Sequence, residues 1–174
     1  MLLRPAATVL VLAAAVLLGA CGDGSVGARG DTVEANAEVV RVVDGDTLVV
    51  RADGVEERVR LIGINTPESV KPGTPVMCFG KEASKHLGEM LAEGTAIRLV
   101  RDVEARDRYD RLLAYVYRAS DGAFVNLALV TDGYADQYSF PPNVAHVDEF
   151  RTAATAARDG GVGLWSACER PFEE

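Results

Sequence analysis

Glu38-Val39-Val40-Arg41-Val42-Val43-Asp44-Gly45-Asp46-Thr47-Leu48-Val49-Val50-Arg51-Ala52-Asp53-Gly54-Val55 decides how this chain folds. Two runs rich in valine are interrupted by Asp44-Gly45-Asp46, and a second break follows at Ala52-Asp53-Gly54. β-branched residues suit a pleated strand, and Asp-Gly is a dipeptide that a tight hairpin prefers. Val55 to Ile64 continues as a third strand, with Val59 and Leu61 on one face and Arg60, Ile62 and Ile64 on the other. The pattern predicts a three-stranded meander.

Outward from the meander, Ser69 to Met77 carries two prolines and a glycine and reads as a loop. Phe79, Ala83, Leu87, Met90 and Leu91 recur at helical spacing, with Gly94 placed to end the helix. Thr95 to Val103 and Leu112 to Arg118 read as a fourth and a fifth strand, the latter followed by a Ser120-Asp121-Gly122 turn. Val125 to Asp132 reads as a short helix ending at Gly133. Val144, Val147, Phe150, Ala154 and Ala157 mark a final helix, with Asn143 placed to cap it. The expected fold is α+β, mainly β: an OB-fold, a five-stranded barrel with three flanking α-helices. This domain is expected over residues 37–170, with 171–174 as a tail.

The N-terminus has a different character. Arg4 precedes an apolar run from Ala6 to Leu18, too short to span a bilayer comfortably. Leu18-Gly19-Ala20-Cys21 then resembles a bacterial lipoprotein signal, which implies cleavage after residue 20 and acylation of Cys21. An uncleaved N-terminal anchor is the alternative. Both put the domain outside the cytoplasm. The lipoprotein reading anchors it to the membrane by lipid, at the outer face of the bacterial membrane or cell envelope. Residues 21–36, rich in Gly, Ala, Ser and Asp, read as a flexible tether.

The 174 residues carry a formal net charge of −8. That balance argues against a protein that coats DNA, which needs a broad basic face. It leaves room for an enzyme in which a few cationic groups hold one phosphate inside an acidic site. With Cys21 acylated, Cys78 and Cys168 remain, either as a disulfide in an oxidising compartment or as two buried thiols. Zinc is disfavoured, since there is no Cys-x-x-Cys and the two histidines, His86 and His146, lie far apart.

Charge concentrates in three segments at predicted strand ends. They are Val43-Asp44-Gly45-Asp46-Thr47, Val59-Arg60-Leu61-Ile62-Gly63-Ile64-Asn65-Thr66-Pro67-Glu68, and Asp107-Arg108-Tyr109-Asp110-Arg111-Leu112-Leu113-Ala114-Tyr115. Asp-Gly-Asp-Thr alone is a weak signal; Arg-Leu-x-Gly-x-Asn-Thr-Pro-Glu is a specific one. With Asn126-x-x-Leu129-Val130 and Gly163-Leu164-Trp165-Ser166, the chain resembles the staphylococcal nuclease (thermonuclease) family from about Val39 to Ser166.

That resemblance implies hydrolysis of a phosphodiester by in-line attack of water, aided by calcium, a hard cation with oxygen ligands. It makes Asp46, Asn65 and the Thr66 carbonyl the metal-holding groups, with Asp44 as an outer charge. Glu68 would activate the water, and Arg60 and Arg111 would grip the phosphate. Arg108 and Tyr109 would touch a substrate phosphate, and Tyr138 would stack on a base. The substrate implied is DNA, with RNA also expected, cut to 3′-phosphate products; nothing in the sequence requires more than a monomer. Three departures stand out. Asn65 replaces an aspartate, Asp110 replaces a glycine and adds a carboxylate near Arg111, and Phe140 replaces a tyrosine. These keep a rival alive: a catalytically silent OB-fold module that binds nucleic acid or protein. Arg60 shares a strand face with Ile62 and Ile64, where an unpaired charge is costly, which favours a site-facing role over a solvated one.

Overall fold

The computed structural model describes residues 32–70, 73 and 75–172. The expected signal peptide, Cys21 and the tether up to residue 31 lie outside the described residues. In chain order the elements are β1 (Ala37–Asp44), β2 (Thr47–Ala52), β3 (Val55–Leu61), β4 (Gly63–Asn65), α1 (Gly80–Met90), β5 (Ala96–Val100) and β6 (Leu112–Arg118). After them come α2 (Val125–Thr131), β7 (Asp136–Tyr138), α3 (Val147–Asp159) and α4 (Leu164–Ala167).

Five strands close a barrel in the order β1-β2-β3-β6-β5. The chain is α+β and mainly β, an OB-fold, as its strand pattern predicts. The meander forms because Asp53 and Gly54 both take positive φ (51° and 81°), which a two-residue hairpin of the right twist requires. β1 pairs with β2 through two register shifts, Val39/Arg41 and Val42/Asp44, and such bulges bend a strand enough for a sheet to curl shut. Closure comes from β3 lying parallel to β6, with Val59 opposite Leu112 and Leu61 opposite Ala114. Leu48, Val50, Val59, Leu61, Ile97 and Val116 fill the interior with no exposed surface. Leu87 of α1, Leu129 of α2 and Phe150 of α3 are buried against it.

The structure departs from the sequence reading in several places. Val55 to Ile64 is not one strand, because Gly63 at φ 82° turns the chain after Leu61. The short β4 that follows pairs with β7, setting Gly63 opposite Tyr138 and Asn65 opposite Asp136. The fourth barrel strand stops at Val100, and Val103 beyond it is 73% exposed. Asn143 does not cap α3. Its side chain accepts from Glu104 N (2.8 Å) and donates to Glu104 O (3.0 Å), tying two loops together, while His146 precedes α3 without a side-chain cap. Residues 33–36, read as tether, are bound to the barrel: Val33 N donates to Ala119 O, and the Asn36 side chain brackets Leu99 by its backbone N–H and carbonyl.

Cys78 and Cys168 form a disulfide, Cα atoms 6.0 Å apart, closing a loop of 90 residues. It joins the loop before α1 to the end of α4. A cross-link over so long a loop removes much unfolded-state entropy, so replacing both cysteines with serine is expected to lower unfolding free energy by about 3 kcal/mol. Urea titration checks this; an unchanged midpoint would show that the bond adds nothing to stability.

Candidate active site

The β2–β3 register assembles the site's first half. Thr47 lies opposite Arg60, so the Asp44-Gly45-Asp46 turn entering β2 sits beside the end of β3. Leu61 N donates to Asp46 O at 2.9 Å and fixes that approach. After the Gly63 turn, β4 leads Asn65 and Thr66 back to the same place, where Thr66 N donates to Asp46 Oδ2 (3.2 Å). Gly45 allows the contact. A Cβ there would stand 2.7 Å from Thr66 Oγ1.

Arg60 lines the site and pairs there with Asp46. Its Nη2 lies 3.0 Å from Asp46 Oδ2, 3.1 Å from Ile64 O and 3.3 Å from Asn65 Oδ1, and its side chain is 15% exposed. Three oxygens from separate residues thus converge on one cationic nitrogen. Thr66 Oγ1 is buried beside them without a hydrogen-bond partner. Among the described residues no three His, Cys, Asp or Glu side chains form a metal-holding group, so a cation would depend on amide and carbonyl oxygens beside Asp46. An all-oxygen set of this kind fits a hard divalent ion and not zinc.

Asp44 is held from three sides. Its Oδ1 accepts from Gly45 N (2.8 Å), Ser69 Oγ (2.6 Å) and Ser84 Oγ (3.0 Å). Burial, opposed by Ser69 and Gly45 and aided by the neighbouring Glu68 carboxylate, pushes Asp44 above its ordinary value. Glu68 is fixed through its backbone as well. Its N–H points to Met77 Sδ (3.3 Å), its carbonyl accepts from Met77 N (2.9 Å), and its Oε1 accepts from Val70 N (2.9 Å).

Arg111 arrives on the loop entering β6 and is anchored by Asp107. Arg111 Nε donates to Asp107 Oδ2 at 2.7 Å and Arg111 N to Asp107 Oδ1 at 3.0 Å. Burial raises Asp107, but the Arg111 backbone and guanidinium, with Tyr109 N, outweigh it and hold the carboxyl below its ordinary 3.8. A depressed pKa gives a sign. The stabilisation is complete above the unfolded value and disappears as pH falls through the lower folded one. Asp107→Asn is therefore expected to flatten the loss of stability below about pH 4, read from urea midpoints between pH 5 and 2. An acid limb as steep as the parent's would rule out this anchor as its source.

Asp110 does not sit against Arg111 as its place in the sequence suggests. Its carboxylate lies 3.5 Å from Arg106 Nη1 and its side chain is 87% exposed. Its φ of 63° is left-handed, which glycine adopts freely and aspartate tolerates better than most residues.

Two cavities share Arg60 and Arg111. The first, about 220 Å³, is lined by Asp44, Asp46, Thr47, Asn65, Thr66, Glu68, Met77 and Phe172 as well as the two arginines. The second, about 540 Å³, adds Arg108, Tyr109, Tyr138 and Phe140. Arg60, Glu68, Arg111, Asp46, Asn65 and Thr66 are thus together, and Arg108, Tyr109 and Tyr138 lie next door. Tyr109 and Tyr138 are 63% and 57% exposed, open to a ligand. Ser69 and Ser84, which hold Asp44, and Asp107, which holds Arg111, belong to the site through contacts that no motif announces. Asp107, four residues before Arg111, was the legible one, since that spacing suits a local ion pair.

An OB barrel that sets two guanidiniums beside Asp46 and Glu68 has the means to hold an anionic group. The family model described as "Staphylococcal nuclease homologue" matches residues 58–167. Thermonuclease of Staphylococcus intermedius is 40% identical over 127 residues, 73% of this chain and 74% of that protein. Thermonuclease of Staphylococcus hyicus is 38% identical over 133 residues, 76% and 77% of the two chains. Endonuclease YncB of Bacillus subtilis (strain 168) is 36% identical over 132 residues, 75% of this chain and 62% of that one. The chain belongs to the staphylococcal nuclease family.

Proposed function

We propose that this protein is a calcium-dependent endonuclease that hydrolyses DNA and RNA to 3′-phosphate products, working as a monomer outside the cytoplasm from a lipid anchor at Cys21. The observation that carries the reading is that Arg60, Arg111, Glu68 and Asp46 line one cavity of about 220 Å³. The names of the relatives support the activity. The Leu18-Gly19-Ala20-Cys21 sequence supports the anchor.

Arg60 and Arg111 bind the non-bridging phosphate oxygens. Each guanidinium is already oriented, Arg60 by Asp46 and the Ile64 carbonyl and Arg111 by Asp107, so little side-chain freedom is lost on binding. Their contacts strengthen as charge builds on those oxygens in the transition state. Glu68 takes a proton from the attacking water, the water oxygen bonds to phosphorus, the bond to the 5′ oxygen breaks, and that oxygen takes up a proton from solvent water. A divalent cation, held by Asp46, Asn65 and the Thr66 carbonyl, would neutralise phosphate charge. With Asn65 in place of a carboxylate the holding set carries one charge fewer, which favours weak, readily reversible metal binding.

Denatured DNA and RNA incubated with the protein should be cut in calcium and spared in chelator, leaving 3′-phosphate ends. Binding of the polymer without cutting under both conditions would support the silent module instead.

A further inference from the structure

Phe172 is the residue that the site chemistry leaves unexplained. It belongs to a short C-terminal segment, yet it lines the catalytic cavity with Asp46, Arg60, Glu68 and Arg111. Among the described residues, Met77 and Phe172 are the two apolar groups in an otherwise polar lining. Neither can serve a phosphate, but a flat aromatic ring beside one suits the base that the phosphate carries.

Its placement is built, not incidental. Phe172 follows Cys168 by four residues, and Cys168 is bonded to Cys78, the neighbour of Met77. Met77 in turn is paired through its backbone and sulfur with Glu68. Four residues reach at most about 14 Å, so the bond confines Phe172 to the vicinity of the loop that carries Glu68. The ring also rests against Trp165 of α4, centroids 6.2 Å apart, and Arg158 covers the same indole at 4.7 Å.

The two cavities give a direction. They meet at Arg60 and Arg111, with Tyr109 and Tyr138 in one and Phe172 in the other. A strand whose phosphate lies on the shared arginines has one nucleoside on the tyrosine side and its neighbour on the Phe172 side. We propose that Phe172 is a substrate-contacting residue that stacks on the base across the scissile phosphate from Tyr138, held there by the Cys78–Cys168 bond. This rests on the nuclease reading, and extends it from one nucleoside subsite to two.

The test uses a dinucleotide with a single phosphodiester, which fixes the register, and two analogues that each lack one base. Binding to the full chain carrying Glu68→Gln is measured by calorimetry, and kcat and KM for cleavage are measured with Glu68 intact. Phe172→Ala should weaken dinucleotide binding about tenfold, at the lower end of what stacking one base contributes, and raise KM while leaving kcat. Phe172→Tyr should restore both. The Phe172→Ala effect should vanish on one base-lacking analogue, and the Tyr138→Ala effect on the other. Cys168→Ser should weaken binding in the same sense as Phe172→Ala. Unchanged affinity and KM in Phe172→Ala, or an equal loss on both analogues, overturns the proposal. A chain that binds in this pattern without cutting keeps the subsite and loses the nuclease reading; one that cuts while indifferent to Phe172 does the reverse.

Discussion

Glu68→Gln is expected to lower kcat on denatured DNA by about a thousandfold, within the range that a positioned general base contributes. Glutamine keeps the shape, so it can still accept from Val70 N as Glu68 Oε1 does at 2.9 Å. It cannot take a proton from water at neutral pH. The loop itself should stay in place, because Met77 holds it through the Glu68 backbone and the disulfide follows at Cys78. A thermal melt matching the parent's would confirm that folding is intact, so the loss can be assigned to chemistry. A fall of less than tenfold would remove Glu68 from the role of base. Substrate affinity should change little, since the phosphate is gripped by Arg60 and Arg111.

The second large effect is on stability. Gly63→Ala is expected to lower unfolding free energy by about 4 kcal/mol, combining a left-handed backbone cost with overpacking. Gly63 has φ 82°, and a Cβ there would stand 2.1 Å from Phe150 Cε2. Phe150 has no exposed surface and packs in the core, so the ring has nowhere to withdraw. The strain would be relieved by displacing β4, which carries Asn65 into the site. Activity per folded molecule should therefore fall as well. Urea unfolding measures the first part, and a loss under about 1 kcal/mol would mean that Gly63 is not the obligatory turn described here.

The barrel was legible because its strands carry the period of two and its hairpin carries Asp53-Gly54, which needs positive φ at both positions. Leu112 to Arg118 forms a strand over those same residues. β7 was not legible: three residues, Asp136–Tyr138, are too few to show alternation, and their pairing to β4 depends on contacts far along the chain. The break at Gly63 was hidden for a related reason, since apolar residues continue through it and only the packing of Phe150 marks the turn.

Convergence of the charged groups is readable as motifs, but apart from Asp107 their partners are not. Sequence put Asp110 next to Arg111, while the left-handed backbone turns its carboxylate toward Arg106. Asn143 stood where a helix cap belongs, and the fold uses it to join the loop at Glu104 instead. Phe172 reads as tail from sequence because its position is set by a disulfide whose other half lies 90 residues away.

Cleavage kinetics of Arg60→Ala, Glu68→Gln and the double variant test most directly whether one phosphorus is served by both groups. Residues that act on the same transition state as a unit do not add, so the double variant should lose little more in kcat/KM than the worse single one. Losses that multiply would mean that Arg60 and Glu68 act in separate places, and the shared site would not exist.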